Sequence, residues 1–408
     1  MSRRIAEKKI DFSPSYEIAL GNVMSTFPRK QINRILEKHG RKSERDRRLP
    51  TFLTVFLIIM FGFFGEGKFR EVLRILMERL PWFFSKENIK VPVDSAITKV
   101  RQKVGYEVLK EMHDDYVRPI ATKKHKNCFF KGYRIVAVDG VELSLIDTTA
   151  NREYFGKPRT SVGECASPVL RSAVLIECGT RVMFATELGG VRDSEMQLFN
   201  KLHDKLESGM ILLADRYYYN YRLWLKLGKQ GVKVLFRLKC NLETKILWDL
   251  PDGSHLVEIL PPKDLVRSGE FNKDEKILAR LIEYVVKFED GSESEKIRLL
   301  TNFLDEQEAP ADELANLFPE RWNIETGFNE VKTWLKGRGK TLQSQTPELA
   351  IQEYYGYILA HYVIRKTMAI ASLRNGLSPT ELSFVHSIRV IKRKFQAFSP
   401  CGVYNLKQ

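Results

Sequence analysis

The stretch Phe318-Pro319-Glu320-Arg321-Trp322-Asn323-Ile324-Glu325-Thr326-Gly327-Phe328-Asn329-Glu330-Val331-Lys332 decides how the rest of the chain is read. A proline stands one residue in, and apolar residues then recur at Ile324, Phe328, Val331 and Leu335, the three- and four-residue steps of an amphipathic helix. At about 100° per residue, Phe318, Arg321, Glu325 and Lys332 fall within an arc of roughly 60° beside the apolar stripe. A carboxylate is therefore expected between two cations at the edge of a buried face. Taken alone, Arg321 and Glu325 also read as a surface i,i+4 pair, worth about 0.3–0.5 kcal/mol.

The wider spacing carries more information. Two residues lie between Phe318 and Arg321, three between Arg321 and Glu325, and six between Glu325 and Lys332. This resembles the tyrosine-arginine-glutamate-lysine signature of bacterial cut-and-paste DDE transposases of the insertion sequence four family, with Phe318 where the family has tyrosine.

A chain of 408 residues suggests two or three domains, and its 43% hydrophobic content is ordinary for a folded protein. Sixty-six Lys and Arg against fifty-one Asp and Glu give a net charge of +15 and a pI near 9.4, which suits a polyanionic partner. The cysteines Cys128, Cys165, Cys178, Cys240 and Cys401 form no CxxC pair and are odd in number, arguing for a reducing cytoplasm and against zinc. Met1-Ser2-Arg3-Arg4 leads into no apolar segment of a secretory signal. The run Thr51 to Phe64 is short of the ~20 residues that span a bilayer and is read as a buried helix, with no membrane partner.

From about Ser13 to Lys126 the pattern is helical, broken at Pro28, Pro50, Pro81 and Pro92. Basic residues crowd the segment Arg29 to Arg48, where Arg41, Lys42, Arg45, Arg47 and Arg48 are candidate phosphate contacts, although a charge run is as often a solvated face. Asp94-Ser95 is expected to cap a further helix ending at Gly105. After Lys123-Lys124-His125-Lys126 the text turns to strands. Tyr133 to Val138 is expected to stop at a turn, Asp139-Gly140. Strands follow at about Val169–Cys178 and Arg181–Leu188, then a helix capped by Asp193-Ser194 that runs to about Leu206 and ends at Gly209. The strand Met210 to Ala214 delivers Asp215, and a helix from Tyr217 to Leu227 and a strand from Val232 to Leu238 complete the order β-β-β-α-β-α-β.

That order is the ribonuclease H-like pattern, and in an open sheet ligands gather beyond the carboxyl ends of strands. From Cys240 to about Asn316 the chain is turn-rich and alternating, too long for a structureless loop, and reads as a β-rich insertion. The expected architecture is thus α/β: a ribonuclease H-like catalytic core of mixed sheet and helices, interrupted by a β-rich insertion and preceded by an all-helical N-terminal domain. Its boundaries are 1–126 for the helical DNA-binding domain, 127–239 for the first part of the core, 240–316 for the insertion, 317–345 for the glutamate-bearing helix and 346–408 for a C-terminal helical region.

Phosphodiester chemistry at neutral pH calls for converging carboxylates that hold two divalent ions. The resemblance makes Asp139, Asp215 and Glu325 the metal-binding and catalytic triad for Mg²⁺, with Mn²⁺ able to substitute. It places Arg321 and Lys332 on the DNA backbone near the scissile phosphate. Phe318, Trp322, Arg216, Lys336 and Arg338 are further DNA-contact candidates, although the position of Trp322 beside the apolar stripe favours core filling over stacking on a base. Asp147 is a rival for Asp139 but looks like a turn former. Glu330, about 140° round the helix from Glu325, is expected to be solvated, and Asp193 to be a helix cap. No HExxH, GxSxG or GxxxxGK[ST] is present.

The function so implied is a transposase that binds the terminal inverted repeats of its element, cleaves DNA at its ends with Mg²⁺ and joins the 3′-ends to target DNA. The resemblance further implies double-stranded DNA as partner, a homodimer bridging two ends, a hairpin intermediate in many members, and a bacterial cytoplasmic protein associated with the nucleoid when acting. The alternatives are a stand-alone metal-dependent nuclease of the same fold and a non-catalytic DNA-binding regulator.

Overall fold

The computed structural model describes residues 23–44, 49–64, 67–79, 90–161, 163–239, 242–287 and 292–396. Its N-terminal part carries helices α1 (Arg29–Lys38), α2 (Thr51–Phe64), α3 (Phe69–Arg79), α4 (Asp94–Val104) and α5 (Glu107–Tyr116). Helix α2 has the predicted bounds, and every residue from Thr51 to Phe63 is buried, as a run without a polar face requires. Helix α4 starts after Val93 with no side-chain cap bond, so Asp94-Ser95 does not cap it. Among the described residues no single helix is long and apolar enough to cross a membrane.

The central elements are β1 (Tyr133–Ser144), α6 (Thr149–Phe155), β2 (Val169–Glu177), β3 (Val182–Gly189), α7 (Glu195–Phe199), β4 (Met210–Ala214), α8 (Tyr221–Lys229) and β5 (Lys233–Arg237). The predicted succession of strands and helices is recovered, with α6 added after β1. In space the strands run β3-β2-β1-β4-β5; β4 is parallel to both neighbours and the other pairs are antiparallel. The turn-rich region supplies β6 (Lys245–Asp249), β7 (His255–Ile259), β8 (Ile277–Tyr284) and β9 (Ile297–Thr301). These join the same sheet: β9 pairs with β5, and β8, β7 and β6 continue outward. The result is a mixed α/β structure built on one large mixed sheet.

Strand β1 does not stop at Asp139-Gly140. It runs through both to Ser144, with Asp139 opposite Val174 and Gly140 opposite Ala173. Strand β2 keeps the backbone paired beyond the aspartate, so no turn is required there.

The C-terminal part carries α9 (Ala311–Leu317), α10 (Asn323–Asn329), α11 (Pro347–Asn375) and α12 (Phe384–Gln396). The predicted helix from Phe318 is segmented: a 3₁₀ turn over Phe318–Trp322, then α10, then a π turn over Glu330–Leu335. Helix α2 crosses α11 where Gly62 meets Gly356, and a Cβ on Gly62 would strike the Gly356 carbonyl and the Ala360 side chain. The buried apolar residues of α2, the sheet and α11 form one continuous core.

Glu330 is 3% exposed, not solvated. The helix face turned away from Glu325 meets α11 in place of water. The Glu330 carboxylate accepts hydrogen bonds from Arg365 Nε at 2.8 Å and His361 Nε2 at 2.9 Å, and pairs with Arg181 at 3.2 Å. Burial alone would raise its pKa; Arg365 and His361 more than offset this and hold the carboxyl at about 2.

Replacing Glu330 by Ala strands Arg365, which is 0% exposed, without its carboxylate. The expected loss in denaturant unfolding is about 3–5 kcal/mol. Because the folded pKa lies below the ordinary 4.5, the stabilisation is fully present above pH 4.5 and disappears as the pH falls toward 2. Glu330→Gln is expected to lack this acid-dependent component; identical slopes of stability against pH for parent and Gln variant over that window would refute it.

Candidate active site

Strands β1 and β4 are parallel, with Ala137 opposite Leu213. Each is followed two residues later by an aspartate, so Asp139 and Asp215 stand at equal height on adjacent strands, beyond the last residue of β4. That is the end of a parallel pair where ligands collect. Asp139 Oδ1 accepts from the Gly140 amide at 2.8 Å, and Asp215 Oδ1 from the Arg216 amide at 2.7 Å. The Asp215 carbonyl then accepts from Tyr218 N at 3.0 Å, closing the turn into α8.

Arg321 ties the third acid to the first. It is 7% exposed, with one guanidinium nitrogen 3.4 Å from Asp139 Oδ2 and the other 3.3 Å from Glu325 Oε1. Its Nε is buried with no hydrogen-bond partner among the described residues. Burial pushes the Asp139 carboxyl up to about 6; the Gly140 amide and Arg321 pull it down, while Glu195 and Glu325 add to the rise. Asp139 and Glu325 thus share one cation, and Asp215 stands beside Asp139 on the next strand.

Sequence reasoning missed Glu195. Helix α7 opens with a capping box in which the Ser194 side chain accepts from Gln197 N and the Gln197 side chain accepts from Ser194 N. Asp193 is not the cap; its Oδ2 accepts from Gly190 N at 2.9 Å. The helix is also shorter than expected, with a 3₁₀ turn at His203–Lys205 in place of its second half. The cap sets Glu195 in the first turn, with its carboxyl so close to Gly140 that a Cβ at position 140 would collide with it. Tyr218 Oη donates to Glu195 Oε2 at 3.4 Å. The glycine after Asp139 is the available signal, and in the sequence it has the look of a turn residue.

The remaining candidates divide. Lys332 is half-buried; burial pushes its pKa down and Glu142 pulls it up. Trp322 does not fill the core: it is 57% exposed, with the Arg321 guanidinium 5.1 Å from its ring centroid. Arg216 and Arg338 are exposed. Phe318 is 8% exposed and packed in the core, so its ring is not offered for stacking. Lys336 is also buried, at 6%, and its ammonium donates to the Lys340 carbonyl. Asp147 pairs with Lys157 at 3.0 Å and Arg152 at 3.4 Å, away from the other acids' shared cation. In the N-terminal part Arg41 donates to the Lys103 carbonyl at 3.2 Å and Lys42 pairs with Glu37. Arg45, Arg47 and Arg48 lie outside the described residues.

A site of carboxylate oxygens suits a hard divalent ion such as Mg²⁺. Among the described residues no three acidic, histidine or cysteine side chains converge closely enough, as they stand, to hold an ion. Between Asp139 and Glu325 the bridging cation is Arg321. The crowding of Asp139 by Glu195 and Glu325 is nonetheless an excess of negative charge that a divalent ion relieves, and the donor chemistry fits.

Comparison with known proteins agrees in both halves of the chain. Residues 17–114 match the family described as insertion element 4 transposase N-terminal, and residues 130–361 match the transposase DDE domain. The chain is 26% identical over 368 residues to the transposase InsG for insertion sequence element IS4 of Escherichia coli (strain K12), a match spanning 89% of this chain and 80% of that protein. With the DDE domain covering more than half of its length, the chain belongs to the DDE transposase family, in the insertion sequence four group, and is a DNA-cleaving and strand-transferring enzyme.

Proposed function

We propose that this transposase binds the terminal inverted repeats of its own insertion element, hydrolyses the phosphodiester bonds at the ends and joins the freed 3′-ends to target DNA. Asp139, Asp215 and Glu325 are the residues that would hold Mg²⁺, or Mn²⁺ in its place. The observation that carries this reading is the equal height of Asp139 and Asp215 on parallel neighbours, with Glu325 drawn to Asp139 through Arg321. Bound there, divalent ions supply a nucleophile at neutral pH and offset charge on the leaving oxygen. Arg321 orients Glu325 and Asp139. Its buried position also sets a fixed positive charge beside the reacting phosphate, with Lys332 further along the same stretch.

The strand order β3-β2-β1-β4-β5 supports a ribonuclease H-like core interrupted at 240–316 by an insertion that extends its sheet. We assign residues 1–126 to an N-terminal helical DNA-binding domain, 127–239 and 317–345 to the core, and 346–408 to the C-terminal helical region. Lys42, Arg41, Arg216, Arg338 and the exposed Trp322 are the DNA contacts we favour, joined by Arg45, Arg47 and Arg48. The assembled complex is a homodimer bridging two element ends, acting on the bacterial nucleoid in the cytoplasm.

Asp139→Ala, Asp215→Ala and Glu325→Ala are each expected to abolish Mg²⁺-dependent cleavage of a linear DNA carrying the element ends, while end binding in a mobility-shift assay persists, because a carboxylate is not a phosphate contact. Cleavage surviving in any one of them removes that residue from the triad. End binding with no cleavage by the parent under any divalent ion would favour a regulator.

Neutralising Arg41, Lys42, Arg45, Arg47 and Arg48 together is expected to flatten log K against log salt by about 0.9 for each phosphate that is no longer neutralised. A slope equal to that of the parent moves the DNA-binding surface elsewhere on the chain.

A further inference from the structure

We infer that Glu195 is a fourth carboxylate of the cation site, sharing with Asp139 the divalent ion that the triad holds. The reading deepens the triad assignment and rests on Asp139 being a ligand. Three observations converge on it.

The first is position. Glu195 comes from α7, which follows β3, and its carboxyl lies against the backbone of Gly140, the residue next to Asp139. The capping box fixes the first turn of that helix, so Glu195 is held by the fold and does not reach in from a loose surface. The second is the glycine. Gly140 lies within β1, where any residue satisfies the backbone, and its φ is not positive. Its missing side chain is explained by the space that the Glu195 carboxyl occupies, since a Cβ there would overlap it.

The third is charge. The hydrogen bond that Glu195 accepts comes from the neutral Tyr218 hydroxyl, and among the described residues no lysine or arginine pairs with it. It faces Asp139, itself already shared with Glu325 through one guanidinium. That arginine is more than nine-tenths buried, and its Nε has no hydrogen-bond partner among the described residues. Three half-buried carboxylates, of which only Asp139 and Glu325 share a guanidinium, crowd together with Asp139 at the centre, and a divalent ion balances them. Tyr218 fixes which oxygen of Glu195 remains open, as an outer partner does for a metal-bound carboxylate.

The test measures ion binding separately from turnover. Mn²⁺ titrated into the full-length protein without DNA is followed by the electron paramagnetic resonance of the free ion. Glu195→Gln is expected to raise the Kd for Mn²⁺ about ten-fold or more, and to raise by a similar factor the Mg²⁺ concentration that half-saturates end cleavage. Gly140→Ala, which leaves the acid in place and forces its carboxyl away, is expected to shift both values in the same direction. Thermal unfolding of each variant verifies that the fold is kept, and Gly140→Ala decides alone should the Gln variant fail to fold. Parent-like Mn²⁺ affinity in a folded Glu195→Gln protein, with Asp139→Ala weakened, overturns the role of Glu195 and leaves the triad standing. Parent-like affinity in Asp139→Ala overturns the triad reading beneath it.

Discussion

The parallel pairing of β1 with β4 is the constraint on which the site depends. A strand advances by about 3.3 Å per residue, so a one-residue slip would separate the two aspartates and reverse the face on which each side chain lies. The register is set by the residues just before the acids, Arg134 to Ala137 against Met210 to Leu213. Ile135 to Ala137 and the whole of β4 are buried, and their packing leaves little freedom to slide. Apolar packing in the sheet interior therefore fixes the placement of charged groups at its end.

Placement of the third acid is a problem of a different kind, because Glu325 arrives from a helix after the sheet has been extended by four further strands. Two ion clusters locate it. On one side of the helix Arg321 reaches Asp139 and Glu325; on the other Glu330 is gripped by Arg365, His361 and Arg181. The first cluster faces the site and is partly open, with the Glu325 side chain 41% exposed. The second is sealed under α11. A buried carboxylate with its charges matched is costly to move, and the π turn beginning at Glu330 is the local distortion that brings it to those partners.

How much is legible in the sequence follows from the range of each signal. Helix α2 and strand β4 have the expected bounds, since each is a bounded apolar run whose period and ends are local properties. The Arg321 and Glu325 pairing is likewise local, an i,i+4 relation on one helix. What escapes a local reading is tertiary. Asp139-Gly140 has the composition of a turn, and only the presence of β2 alongside keeps the strand going. Helical angle alone sends Glu330 to solvent and Trp322 to the core; the covering by α11 reverses the first and an open surface reverses the second. Glu195 carries no motif, and it reaches Asp139 through chain folding across strands β2 and β3.

The crossing of α2 with α11 has a consequence for how the gene tolerates damage. The glycine contact between Gly62 and Gly356 joins segments near opposite ends of the chain, and the apolar surface of α2 has no polar face to present to water without it. A product of premature termination before Pro347 would keep both aspartates, Glu325 and the basic N-terminal segment, yet it would uncover the face of α2 that meets α11 at Gly62. Newly exposed apolar surface of this kind favours aggregation and proteolysis. Truncation ahead of α11 is therefore expected to cost the fold along with the activity, so that such copies of the gene are expected to be null.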